Sequence, residues 1–177
     1  MKDGLKKLTV CGLMTALCLI LGYLEHLLPL SLIIPLPGVK LGLSNIALLV
    51  LLLMYGPAYA YGVTLLKCGL SALLFGSVTS LAFSLAGGLL AMTSMWALTA
   101  AFKEKLSVFG VSVAGAVMHN VGQLGAASVI MGSTAVFSYL PLLAVAGTAT
   151  GLITAAITSQ ALRLTGYGKA ETPQKVF

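Results

Sequence analysis

Residues 41–75 read LGLSNIALLVLLLMYGPAYAYGVTLLKCGLSALLF, and this stretch decides the fold. It contains two apolar runs separated by Gly56-Pro57, a pair that breaks helices. Lys67 is its only charged residue. Because a bilayer core about 30 Å thick is crossed by roughly 20 apolar residues in a helix, the stretch predicts two consecutive membrane-embedded helices, at about 41–55 and 58–75.

The same composition continues on both sides of this stretch. The chain of 177 residues is 59% hydrophobic and only 8% charged, whereas a soluble domain carries about 25% charged residues. We therefore predict an all-α polytopic membrane helix bundle of about six transmembrane helices. The predicted spans are 8–28, 41–55, 58–75, 79–102, 108–131 and 138–164. Residues 1–7 and 165–177 are then cytoplasmic tails on either side of a transmembrane domain at 8–164.

The basic residues indicate the orientation of the bundle. Of the ten Lys and Arg residues, eight lie at one set of segment ends, which the positive-inside rule assigns to the cytoplasm. They are Lys2, Lys6, Lys7, Lys103, Lys105, Arg163, Lys169 and Lys175. Both termini are therefore predicted to be cytoplasmic, with the protein in the inner membrane of a bacterial cell. Lys40 and Lys67 do not follow this pattern.

Lys67 lies near the middle of the third predicted span. A lysine at the bilayer centre costs at least about 2.5 kcal/mol unless it faces a polar cavity or a partner. Glu25 is the only acid near the membrane besides the cytoplasmic Glu104, so it is the expected structural partner. Snorkelling to an interface, pairing with a carbonyl and contact with an anionic substrate are the alternatives.

Lys40 follows Pro37-Gly38 and is expected to open the second helix. Free backbone N–H groups and the positive dipole end attract anions at such a position. Asn45, one turn further along, offers both a donor and an acceptor. An ordinary interfacial lysine is the alternative interpretation.

The densest polar cluster inside a predicted span is at 119–123. His119 and Gln123 are four residues apart and share one helix face, and Asn120 and Gln123 are three apart. Such side chains in hydrocarbon must face the bundle interior. Both interhelical hydrogen bonding and ligand contact are consistent with this pattern.

Several classes of site are missing from the sequence. It has no phosphate-binding loop, and its only Asp is Asp3, so no acidic cluster could bind Mg-diphosphate or support ATP hydrolysis. We expect no metal, no cofactor and no enzymatic activity from the chain alone. Its basic residues do not cluster as in nucleic-acid binders. Cys11, Cys18 and Cys68 are interpreted as small core residues.

Four ordered motifs carry a family resemblance: PGVKLGLSN at 37–45, FSLAGG at 83–88, GVSVAGAVMHNVGQ at 110–123 and YLPLL at 139–143. Over roughly residues 5–160 the chain resembles the Gx transporter family, also labelled heptaprenyl diphosphate synthase component I. That family is similar to the S components of energy-coupling factor (ECF) transporters. Those six-helix membrane proteins capture a vitamin or precursor outside the cell, then dock on a T component and two ATPases.

The resemblance, taken with the residue types, implies a pocket under the Pro-rich link between the first two helices. Its candidate lining is Lys40, Asn45, Lys67, Ser84, His119, Asn120 and Gln123. The implied ligand is a small anionic or amphipathic metabolite, either an isoprenoid precursor or a vitamin-like or flavin-like molecule.

The resemblance has two further implications. Gly12 and Ala16 match in kind the small-residue face that S components use to dock on their T component. The family pattern has Arg where Lys67 stands, and Lys keeps the charge but lacks the planar, bidentate fork.

Three functions remain open at this point. The leading one is a capture subunit embedded in the lipid bilayer and completed by a T component and ATPases. The second is a membrane subunit of a heptaprenyl diphosphate synthase, with the catalytic acids in a partner. The third is a structural subunit of a larger membrane complex.

Overall fold

The computed structural model of the chain describes residues 2–27, 40–102 and 106–165. These ranges form six α-helices and one short 3-10 helix, Thr134–Tyr139, and they confirm the predicted all-α membrane bundle. The α-helices are α1 (Lys2–Leu27), α2 (Asn45–Tyr55), α3 (Pro57–Phe75), α4 (Val78–Phe102), α5 (Val108–Met131) and α6 (Leu140–Leu164).

Local sequence explains several of the helix ends. Pro57 is the first residue of α3, where a missing backbone N–H costs nothing. Ser107 caps α5 by accepting a hydrogen bond from the Gly110 N–H. Gly132 ends α5 in the left-handed conformation, with φ at 62°.

Within the described residues, five helical stretches are long and apolar enough to cross a membrane. They are Gly4–Leu27, Pro57–Phe75, Val78–Phe102, Val108–Met131 and Thr134–Leu164. The long helices pack neighbour on neighbour in the order α1, α3, α4, α5 and α6, and each of them also contacts α2. The bundle is therefore an arc of long helices around a central short one.

The central helix α2 differs from the prediction. It begins at Asn45 instead of residue 41, and its 11 residues rise only about 16 Å. Residues 45–52 are all buried. Residues 40–44 are non-helical because their backbone groups bond to other helices and Gly42 has φ at 86°. Lys40 therefore does not open the helix as expected.

Two other boundaries differ. α1 begins at Lys2, so residues 2–7, expected in a tail, continue the first helix. The last span begins with the 3-10 helix at Thr134. The Pro-rich link at 29–38, Lys103 and Lys105, and residues 166–177 of the predicted C-terminal tail lie outside the described residues.

Aromatic side chains form a layer at each end of the bundle. At one end, the Tyr59 ring packs edge-to-face against the Tyr55 ring, with centroids 6.3 Å apart, and the Lys7 ammonium lies over the Tyr59 ring. At the other end, the centroid of the Phe75 ring lies 5.6 Å from that of Tyr23 and 6.2 Å from that of His26. Tyrosine, present as Tyr55 and Tyr59 at one end and as Tyr23 at the other, favours the membrane–water interface.

These layers give the depth of Lys67. Tyr59 and Phe75 are separated by about 24 Å along α3, and Lys67 lies midway, about 12 Å from each. The Lys67 side chain is only 7% exposed. It therefore does not snorkel to either interface.

Candidate functional site

The non-helical segment 40–44 is held by side chains of the surrounding helices. The Gln123 amide on α5 accepts the Lys40 N–H at 2.9 Å and donates to the Lys40 carbonyl at 2.8 Å. One side chain thus replaces both bonds that a helix would have given this residue. Non-helical backbone is tolerated at membrane depth only where protein groups or a water-lined cavity satisfy it.

Three further side chains hold the same segment. Glu25 on α1 accepts the Leu43 N–H, and Cys18 on the same helix donates to the Ser44 carbonyl at 3.6 Å. Thr150 Oγ1 on α6 lies 3.4 Å from the Leu41 carbonyl, and its single proton is shared between this oxygen and the Ala146 and Gly147 carbonyls of its own helix, each at 3.1 Å. The segment is therefore a junction to which α1, α5 and α6 are all tied.

A small cavity lies beside this junction. Its volume of about 20 Å³ has room for a single water molecule. The lining residues come from α1, α3, α4, α5 and the segment 40–44: Cys18, Gly22, Glu25, Lys40, Ser44, Lys67, Cys68, Ser71, Ser84 and His119.

Two ammonium groups in the cavity are each tied to a serine. Lys40 Nζ donates to Ser84 Oγ at 3.0 Å, and Lys67 Nζ donates to Ser44 Oγ. An ammonium carries three N–H groups, so each lysine keeps donors beyond its serine.

Glu25 is the one acidic side chain that the structure describes, and it is 2% exposed. In the described residues it forms no direct ion pair with Lys67, its expected partner. Its hydrogen bond is to the Leu43 N–H, while Lys67 bonds to Ser44. The two side chains line the same cavity and interact through space.

His119 is the most constrained polar side chain of the site. Methyl groups placed on Gly87 and Gly42 would lie 3.0 and 3.3 Å from its ring carbons, so both glycines make room for it. The residue is 2% exposed, and neither ring nitrogen has a hydrogen-bond partner among the described residues. Such a group in a protein interior is uncommon and calls for a ligand or water.

The structure thus brings four of the predicted site residues to one cavity: Lys40, Lys67, Ser84 and His119. Gln123 stands behind them and positions the Lys40 backbone. Asn120 bonds the Leu143 carbonyl at 2.7 Å and ties α5 to α6 instead. Asn45 is buried beside Gly42, and neither of its amide atoms is bonded to any residue that the structure describes; it does not line the cavity.

Several lining residues were not among the predicted ones. On α1, Cys18, Gly22 and Glu25 follow the i, i+4, i+7 spacing of one helix face, a signal that the sequence does contain. Cys68 lies on α3 and donates to the Ser84 carbonyl at 3.3 Å. Cys18 and Cys68 are buried free thiols, as expected, but they contact the cavity as well as the core.

The predicted docking pair lies on the opposite face of α1. Gly12 and Ala16 are both exposed, and a methyl group on Gly12 would meet nothing within 4 Å. This face takes no part in packing the described chain. Its role in docking stays a prediction.

One comparison with known proteins gives a match. The model of a family described as heptaprenyl diphosphate synthase component I matches residues 14–162. Neither the curated proteins nor the solved structures give a significant match. The matched range includes every residue that lines the cavity.

Proposed function

The chain belongs to the heptaprenyl diphosphate synthase component I family, and from this premise we propose that it is a membrane subunit that binds a small anionic or amphipathic metabolite. The proposed ligand class is an isoprenoid precursor or a vitamin-like or flavin-like molecule. The proposed site is the cavity beside the segment 40–44.

The observation that carries this proposal is a pair of ammonium groups in one cavity, with Lys67 buried and Lys40 half-buried. Lys40 and Lys67 lie in one cavity with a single carboxylate, Glu25. A buried positive charge that lacks a matching negative charge costs several kcal/mol, and an anionic ligand would offset this cost. Hydrogen bonds from ammonium groups to an oxyanion are among the strong ones in proteins.

The unpaired imidazole of His119 supports the same proposal. It adds a donor and an acceptor to a wall that already contains the Ser44 and Ser84 hydroxyls. The cavity of about 20 Å³ holds no more than a water molecule, so a ligand must widen it. We propose that only the polar head of the ligand binds in the cavity and that the rest of the molecule lies outside it.

The transport role is part of the proposal. The resemblance to ECF S components favours a capture subunit that docks on a T component and two ATPases, with both termini in the cytoplasm of a bacterial cell. The exposed small residues Gly12 and Ala16 are the proposed docking face. On this proposal the chain itself performs no catalysis.

Native mass spectrometry in mild detergent tests the binding proposal. We expect the wild-type protein to retain a small molecule and Lys67→Met to lose it, because the variant removes a cavity charge. Lys6→Met is the matched control, since Lys6 is exposed on α1. A wild-type protein without bound ligand, and without a thermal shift from any isoprenoid or flavin candidate, would contradict the proposal.

The family description favours one alternative, a membrane subunit of a heptaprenyl diphosphate synthase. The acids in this sequence are Asp3, Glu25, Glu104 and Glu171, which form no paired motif. On this alternative a partner supplies the acids that bind Mg-diphosphate. Co-purification with a soluble prenyl synthase, and with no ATPase, would favour it over the capture subunit.

A further inference from the structure

We propose that Glu25 is an internal counter-anion that sets the charge of the ligand. It leaves the cavity with one net positive charge, so that a head group with a single negative charge, such as a carboxylate, binds better than a phosphate monoester or a diphosphate. This inference rests on the proposed function, and it narrows the ligand class.

The charge count follows from the residues around the cavity. Counted by formal charge, Lys40 and Lys67 contribute two positive charges and Glu25 one negative charge, and the described lining contains no other acid and no other Lys or Arg. Residues 28–39, which lie outside the described residues, read LPLSLIIPLPGV and carry no charge. They cannot alter the count, wherever they lie.

The hydrogen bonds of Glu25 explain how it can neutralise charge without filling the site. Its carboxylate bonds to the Leu43 N–H and not to either ammonium group. In the described residues, the Lys40 ammonium donates a hydrogen bond to Ser84 and the Lys67 ammonium donates one to Ser44. A ligand therefore still meets free N–H donors, although one of the two positive charges is already balanced.

A more highly charged head group would meet the same carboxylate at short range. Repulsion between like charges is much stronger in a protein interior than in water. The second and third charges of a diphosphate would face Glu25 with no additional cation to offset them. The small volume of the cavity, about 20 Å³, also favours a carboxylate over the larger diphosphate.

The experiment uses three probes with one tail: geranic acid, geranyl monophosphate and geranyl diphosphate. Neutral geraniol measures binding of the tail alone. Affinities are measured by calorimetry for detergent-solubilised wild-type protein and for Glu25→Gln, whose amide oxygen can still accept the Leu43 N–H. We expect the wild type to prefer geranic acid over the diphosphate, and the substitution to shift that ratio toward the diphosphate by about tenfold or more.

Equal ratios in the two proteins, or a wild-type preference for the diphosphate, would overturn the inference while leaving the binding function intact. If none of the three anionic probes binds more tightly than neutral geraniol, to the wild type or to the variant, the proposed function is overturned as well. If Glu25→Gln does not fold, Lys67→Gln tests the same charge count, because it lowers the net charge of the cavity instead of raising it. It brings the net charge to zero and should weaken diphosphate binding more than carboxylate binding.

Discussion

The two sides of the bundle use glycine in opposite ways. Between α4, α5 and α6, glycines allow backbones to touch: a methyl group on Gly122 would lie 2.5 Å from the Ala86 carbonyl oxygen, and one on Gly151 would lie 2.7 Å from Val113 Cα. On α1, methyl groups on Gly12 and Gly22 would meet nothing within 4 Å. Close backbone contact of the first kind is how membrane helices pack tightly.

This difference divides the walls of the cavity. Ser84 and His119, and Gln123 behind them, stand on the tightly packed side. Glu25, Cys18 and Gly22 stand on α1, which has space beside its glycines. We infer that the packed side is the fixed wall, and that α1 is the wall that can shift when the cavity widens.

The largest expected effect comes from cutting the tie between the fixed wall and the segment 40–44. Gln123→Leu leaves the Lys40 N–H and carbonyl unbonded, and each buried unsatisfied group costs about 1–3 kcal/mol. We expect a clear drop in melting temperature in detergent. Gln160→Leu is the control, because Gln160 is exposed on α6 and should leave the melting temperature nearly unchanged. Equal effects of the two substitutions would contradict the anchoring role of Gln123.

A smaller loss is expected from Gly122→Ala. The added methyl group overlaps the Ala86 backbone, and overpacking of this kind costs about 1–3 kcal/mol. Gly125→Ala on the same helix meets nothing within 4 Å and should be neutral or slightly stabilising. Thermal unfolding of both variants measures the contrast. If Gly122→Ala is as stable as Gly125→Ala, the helices α4, α5 and α6 are not packed more tightly than the α1 side of the bundle.

The smallest effect on stability is expected on α1. Gly12→Leu adds a side chain to an exposed position with open space, so the free energy of unfolding should change by less than about 0.5 kcal/mol. The same substitution should reduce co-purification of a T component, if this face is the docking surface. Leu13→Ile, at a neighbouring exposed position, should change neither property. Strong destabilisation by Gly12→Leu would show that α1 is packed more tightly than its surroundings indicate.

The sequence predicts the long helices well because their apolar runs and the breaker pair Gly56-Pro57 are local signals. It does not predict where α2 begins. Leu41 and Leu43 extend the apolar run, so the pattern favours helix from residue 41. What prevents that helix is tertiary structure, since the backbone of the segment bonds to side chains of other helices, among them Glu25 on α1 and Gln123 on α5.

The candidate site was predictable to a similar degree. Lys40 and Lys67 are conspicuous because topology does not explain them, and the cluster containing His119 is conspicuous inside an apolar span. The separate roles of Asn120 and Gln123 were not predictable, since neighbouring amides on one helix carry the same sequence signal. Only the structure shows that one bonds to α6 and the other to the segment 40–44.

The Gln123 tie also has a consequence for the order of biosynthesis. Lys40 and Gln123 are 83 residues apart, and Leu41 and Thr150 are 109 apart. When α1, α2 and α3 leave the ribosome, Glu25 and Cys18 can already bond to Leu43 and Ser44. The Lys40 N–H and carbonyl still have no permanent partners, and hydrocarbon supplies none. This segment must wait beside water or the insertion machinery until α5 arrives. The interior of the protein is therefore completed last, from the C-terminal half.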